Sequence, residues 1–174
     1  ELGETAPALM RFTAQSARIW MHAAAGEMSA ARAAAVDCAE QATAARLHAI
    51  ALGALHDLAR LGGAQMAADR LECFPMEGAG AFAVAVRAHV DALVAGDALA
   101  LSASSDRFEA MGSMLLAAEA AAQEAAVHTA AGRKGSAATA RGRATVLMSR
   151  CEGARTPALL DLTTDPAMAT LTDR

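Results

Sequence analysis

Apolar positions along most of this chain recur at three- and four-residue spacing, the period of an amphipathic helix. The pattern is densest from Leu47 to Leu61. On a wheel of about 100° per residue, Leu47, Ile50, Ala51, Leu52, Ala54, Leu55, Leu58, Ala59 and Leu61 fill more than half the circumference. Arg46, Gly53, His56, Asp57 and Arg60 share the remaining arc, whereas His48 falls inside the apolar one, between Leu55 and Ala59. A surface helix carries a narrower stripe. The segment is therefore predicted to contact neighbours on two sides, with His56 on its wet side and His48 as a core histidine.

The helical periods stop at glycines. Gly26, Gly62, Gly96 and Gly132 lie 36, 34 and 36 residues apart, and Ala31, Ala67, Leu101 and Ala137 follow them by five residues. Glycine suits the position just past a helix end, where the backbone turns left-handed without steric cost. A repeat of about 34 residues built from two helices is the tetratricopeptide period. The prediction is an all-α chain of antiparallel hairpins stacked as a tetratricopeptide-like solenoid, with hairpins over Pro7–Ala45, Arg46–Phe74, Ala81–Gly112 and Ser113–Cys151.

Each hairpin has its own pattern. In the first helix Leu9, Phe12, Ile19, Trp20 and Ala23 share one arc, opposite Arg11, Gln15, Arg18 and His22. Trp20 is expected to anchor the first hairpin, and Glu27–Ala45 is a packing helix of thin alanine knobs. Pro75 closes the second hairpin, and Met76–Gly80 reads as a loop. Phe82, Val86, Val90, Leu93 and Val94 form the stripe of the next helix, with Arg87 and Asp91 paired at i,i+4 on its wet side. The run Leu101–Asp106 is polar, so Ser105 or Asp106 is expected to cap a helix carrying Phe108, Met111 and Leu115. Ala137, Ala140, Ala144, Leu147, Met148 and Cys151 face inward on the last long helix. From Glu152 onward Gly153, Pro157, Thr163 and Pro166 read as loop. The predicted domains are a helical domain over 1–153 and a linker over 154–174.

Composition fits this class. Hydrophobic residues make up 55% of the 174, aromatics only 3%. Most of the apolar share is alanine, the best helix former and a small contributor of buried area. Net charge is −4, which does not invite a polyanion. No apolar run approaches the roughly 20 residues of a membrane span, and no signal peptide is visible. The chain opens at Glu1 rather than Met, as a fragment or processed chain would. Cys38, Cys73 and Cys151 are odd in number and far apart, as reduced cytoplasmic thiols would be rather than a disulfide framework.

Little points to catalysis. His48 and His56 are eight apart and do not stack as metal ligands. Glu109, Glu119 and Glu124 have no Glu-x-x-His partner for a di-iron bundle, and no nucleophile motif stands out. The expectation is no enzyme, no cofactor and no metal. Asp57 and Arg60 should pair with each other. Arg143 and Arg150 share one face with Arg141 opposite, so the cluster from Arg133 to Arg150 forms no single basic stripe and reads as solvated surface. All five histidines fall on the first helix of a hairpin, the helices that line the concave face in stacks of this class. His22, His56, Asp57, Arg60 and His89 are the candidate ligand or partner face.

Four segments come in a recognisable order: Ala54-Leu55-His56-Asp57-Leu58-Ala59-Arg60-Leu61-Gly62, then Leu115-Leu116-Ala117-Ala118-Glu119, then Cys151-Glu152-Gly153-Ala154-Arg155-Thr156-Pro157, then Leu171-Thr172-Asp173-Arg174. From about Leu47 to Arg174 the chain resembles the helical segment that precedes the DNA-binding domain in large LuxR-family regulators of actinobacteria. Asp173 stands where that family often has proline. The resemblance implies tetratricopeptide-like hairpins between a nucleotide-binding ATPase module and a helix-turn-helix opening Leu-Thr-x-Arg-Glu, neither of which this chain contains.

The implied role is a cytoplasmic regulatory, sensor and interaction domain. Its partners would be a small-molecule inducer or a protein, a second copy of the chain, and the ATPase and DNA-binding modules of the same polypeptide. Direct nucleic-acid binding and membrane insertion are not expected. Two other classes remain open: a passive protein-binding scaffold, and a helical enzyme using His56 and Asp57.

Overall fold

A computed structural model describes residues 2–75 and 80–163, with side chains described from Met10 onward except at 161 and 163. Among these residues every regular element is helical and there is no strand. In order they are α1 (Leu2–Ala24), α2 (Met28–Ala44), α3 (His48–Leu58), a π-helical turn (Ala59–Gly63), α4 (Ala64–Glu72), α5 (Gly80–Ala95), α6 (Ala98–Ala110), α7 (Met114–Ala130), α8 (Lys134–Met148) and α9 (Pro157–Thr163). No described helix is long and apolar enough to cross a membrane. Leu9 lies outside the described side chains, and Met76–Ala79 outside the described residues, as do Leu171–Arg174.

One backbone path closes most of the described helices. Gly26, Gly62, Gly96 and Gly132 are all left-handed, with φ of 78°, 84°, 59° and 71°. Two further junctions, at the expected hairpin boundaries after Ala45 and at Gly112, use the same path: Gly112 (φ 77°) and Arg46 (φ 58°). At the α1–α2 junction the Gly26 N–H donates to Ala23 O and the Glu27 N–H to His22 O. These two bonds define a Schellman motif, which satisfies the last carbonyls of a helix. The same pair recurs as Arg46 to Thr43 with Leu47 to Ala42, Gly96 to Leu93 with Asp97 to Ala92, Gly112 to Glu109 with Ser113 to Phe108, and Gly132 to Thr129 with Arg133 to His128. Five residues beyond each of these six positions stands a buried residue: Ala31, Ala51, Ala67, Leu101, Ala117 and Ala137. The turn thus sets the phase of the next helix.

Among the described residues Arg46 alone occupies this conformation with a Cβ, which costs an L-residue roughly 1–2 kcal/mol. Arg46→Gly should therefore stabilise the fold by about 1 kcal/mol, raising the melting midpoint by about 2–4 °C. Gly26→Ala should cost a similar amount through φ alone, since no atom lies within 4 Å of the added Cβ. Thermal melts of both variants check the pair.

The chain divides into two compact units, Glu1–Asp91 and Ala92–Arg174. In the first, α2 packs on α1 and α3, and α3 on α4. Phe12 and Ile19 of α1, a run of alanines with Cys38 on α2, and Leu52, Leu55 and Leu58 on α3 are buried. The expected helix through Leu61 instead ends at Leu58 and loosens into the π turn. The Leu61 carbonyl there accepts from Arg32 Nη1 at 3.1 Å. Trp20 is only half-buried. The stripe expected on α5 is rotated: Val86 and Val90 are buried, but Phe82 and Val94 are exposed and Ala83, Ala85 and His89 take their places. Arg87 does pair with Asp91, at 3.0 Å.

In the second unit α7 packs on α6, α8 and α9. Its alanines at 117, 118, 120, 121, 122 and 125 are buried all round, and Ala137, Ala140 and Ala144 of α8 meet them with equally short side chains. Neither Ser105 nor Asp106 is a cap. The polar run lies inside α6, where the buried Ser105 Oγ–H donates to Ala117 O of α7 at 2.8 Å and Ser104 donates to Ala100 O. A serine whose hydroxyl finds a carbonyl in this way is compatible with a helix interior. The cap in this region is Asp97, whose Oδ1 accepts from the Leu99 and Ala100 N–H groups. Phe108 accordingly belongs to α6. Pro157, read as a loop residue, opens α9, whose Leu159 and Leu162 are buried.

Candidate functional site

The polar side chains of interest gather in the first unit, and α3 distributes them to two sides. His56 and His89 are 2% and 0% exposed. Nε2 of His56 lies 2.9 Å from Nδ1 of His89, with one ring donating and the other accepting according to tautomer. The rings meet edge-on, with centroids 5.2 Å apart, and Phe82 lies edge-on to His56 at 6.2 Å. Burial, then the neighbouring His89 and the Arg60 charge, hold the His56 pKa well below the ordinary 6.5. Burying an ionised imidazole without a counter-charge is unfavourable, so the ring stays neutral at neutral pH.

This reverses the wheel assignment. His56, placed on the wet arc, is core, and His48, placed in the core, is exposed, with its ring edge-on to Phe74 at 5.9 Å. A helix wheel sorts residues by polarity, and a histidine that finds a second histidine on the facing helix satisfies its polar atoms inside. Two members of the candidate face, His56 and His89, are therefore packing residues rather than an open surface.

Asp57 and Arg60 turn toward α1. Arg60 Nη1 donates to Asp57 Oδ1 at 2.6 Å, as the i,i+3 spacing predicted. The indole Nε1–H of Trp20 donates to Asp57 Oδ2 at 3.2 Å, and the Arg60 guanidinium lies 4.5 Å over the Trp20 ring. Trp20 thus anchors the first hairpin to α3 through a cation–π contact and a hydrogen bond. The Asp57 charge also acts on Cys38, whose thiol pKa is raised first by burial and then by that carboxylate. All three cysteines are free.

His22, the last member of the candidate face, borders open space, as Asp57 borders a smaller one beside Phe12 and Gly53. Its Nδ1 lies 2.6 Å from Glu27 Oε2. With Gln15 and Arg18 it lines a cleft of about 270 Å³ between α1 and α2, whose far wall carries Asp37, Cys38 and Gln41. The cleft exists because α2 offers Ala30, Ala33 and Ala34 where larger side chains would close the gap. The Gln15 amide donates to Gln41 Oε1 at 2.9 Å, which leaves the buried Gln15 Oε1 without a partner among the described residues. Asp37 and Gln41 were not singled out from sequence, although they continue the register of Ala30, Ala33 and Ala34 on one face.

In the second unit Arg143 and Arg150 of the basic cluster are ion-paired, while Arg133 and Lys134 lie exposed. Arg143 Nη2 binds Asp106 at 2.6 Å and Glu109 at 3.0 Å, and Arg150 lies 3.8 Å from Glu109. The three glutamates noted from sequence separate: Glu109 faces these arginines, Glu119 is buried, and Glu124 lies 3.6 Å from His128. Among the described residues no group of three or more His, Cys, Asp or Glu is placed to hold a metal ion. Comparison with known proteins finds no matching family model, no matching curated protein and no matching solved structure.

Proposed function

We propose that this chain is a regulatory and interaction segment of a LuxR-type transcriptional regulator, built as a tetratricopeptide-like stack of helical hairpins. The observation that carries the reading is the turn geometry shared by the junctions at Gly26, Arg46, Gly96, Gly112 and Gly132. Repeating one junction places short helices in register and presents side chains in a row, the arrangement by which helical repeats recognise ligands and partners. The order of the four resembling segments supplies the regulator context. An inducer or partner would act by binding one arrangement of the stack more tightly than another, which is the only way a ligand shifts such an equilibrium. The neighbouring ATPase and helix-turn-helix modules would feel that shift.

Sequence-specific DNA binding would belong to the downstream module. It needs an element that enters a groove and side chains that reach base edges. The chain's charge of −4 opposes the electrostatic attraction behind even non-specific binding. Arg143 is already occupied by Asp106 and Glu109. In a mobility-shift assay the chain alone should give no retarded band at about micromolar protein in moderate salt. The chain extended through its own downstream coding sequence should give a sequence-selective one. Selective retardation by the chain alone, or none by the extended chain, would overturn the assignment.

A further inference from the structure

We propose that the cleft between α1 and α2 binds a small aliphatic α-amino acid, with its carboxylate on Arg18 and its ammonium on Asp37. The proposal names a ligand class for the sensor reading above and relies on that reading for its purpose, not for the binding itself.

Unspent polar capacity surrounds one space. Arg18 on α1 and Asp37 on α2 line the same cleft from opposite walls. Almost every other charged side chain near them is engaged: His22 with Glu27, Arg60 with Asp57, Arg70 with Glu40. Arg18 and Asp37 make no hydrogen bond or ion pair with any described residue, and they do not reach each other across the gap. A guanidinium and a carboxylate held apart in this way match the two ends of a zwitterion, and the guanidinium fork is suited to a carboxylate. A neutral ligand would leave the charges unused, and an anion would be repelled by Asp37.

Size and floor narrow the class. The cleft holds about 270 Å³, below the roughly 300–1,000 Å³ usual for drug-sized ligands. Its floor is alanine methyls with the Cys38 side chain, which accepts a short aliphatic group and offers a bulky one no depth. Both charged groups are exposed, so solvent screens them and the affinity is modest, with a dissociation constant on the order of 10⁻⁴ M.

The test is an NMR titration of the full chain with glycine, L-alanine, L-valine and L-leucine, up to about 10 mM. At least one should give saturable shifts confined to amides of α1 and α2 around the cleft. N-acetyl-L-valine and L-valinamide, each lacking one charge, should bind about tenfold more weakly than L-valine. Arg18→Gln and Asp37→Asn should each weaken binding about tenfold, the loss of one charged hydrogen-bonding partner. Both positions are exposed, so the variants should melt with the parent and stay interpretable. Absence of saturable shifts from all four amino acids, equal shifts from the capped compounds, or unchanged affinity in both variants would overturn the proposal. Failure of the regulator assignment would leave a positive titration standing, and a negative titration would leave the mobility-shift result standing, so the two are distinguishable.

Discussion

Leu58→Ala should destabilise the first unit by about 3–5 kcal/mol, the upper range for truncating a buried leucine. Leu58 is 0% exposed and ends α3 where the π turn begins. Its side chain is also why Gly63 is glycine. A Cβ on Gly63 would sit 2.6 Å from Leu58 Cδ1 and 3.0 Å from both Leu58 Cγ and the Leu58 carbonyl oxygen. At the other junctions the residue after the left-handed position is Glu27, Leu47, Asp97, Ser113 or Arg133, so a side chain is tolerated there. Gly63→Ala should consequently cost about 1–3 kcal/mol through overpacking. In the Leu58→Ala background most of that cost should vanish, because the obstructing side-chain atoms are gone. A urea double-mutant cycle should read about 1 kcal/mol or more of favourable coupling. Strict additivity would show that the turn relaxes independently of Leu58.

His56→Ala should cost about 2–4 kcal/mol, because it opens a cavity and removes the 2.9 Å partner of His89. His48→Ala, on the exposed side, should cost under about 1 kcal/mol. The pair also carries a pH signature. The His56 pKa lies well below 6.5 in the folded chain, so His56 takes up a proton on unfolding. Its contribution to stability is complete above about pH 6.5 and is lost as pH falls toward the depressed folded value. One proton limits the slope to about 1.4 kcal/mol per pH unit. Urea melts across this window should show the parent losing stability on acidification and His56→Gln losing less. Equal slopes would mean that the ring is already protonated in the folded chain.

The parts of this fold that were legible in the sequence are those governed by backbone chemistry. Gly26, Gly62, Gly96 and Gly132 announced their turns because glycine is the residue that enters the left-handed region without cost. Arg46 makes the same turn and gives no such sign, since nothing in an arginine marks positive φ. The hairpin boundary at Gly112 was legible, but the polar run before it read as a cap, whereas Ser104 bonds to Ala100 O within α6 and Ser105 to Ala117 O of α7. The core of α3 was legible from its leucines, whereas His56 was not. Its burial depends on His89, 33 residues away, and no local period encodes that meeting. The candidate face fared likewise. Asp57 and Arg60 pair as their spacing required, but the larger open space beside this face borders His22, where α2 has only methyl groups to offer. The absence of bulk in alanine is visible in sequence, but which polar face it will lie beneath is not.

The regulator assignment is tested most sharply by reading the coding sequence on both sides of this chain. The account predicts a nucleotide-binding ATPase module upstream, with a glycine-rich phosphate loop ending in Lys-Ser or Lys-Thr. It predicts a helix-turn-helix immediately downstream, continuing from Leu171-Thr172-Asp173-Arg174. A frame that closes just beyond Arg174 with no such module, or that runs into an unrelated domain on either side, would contradict it.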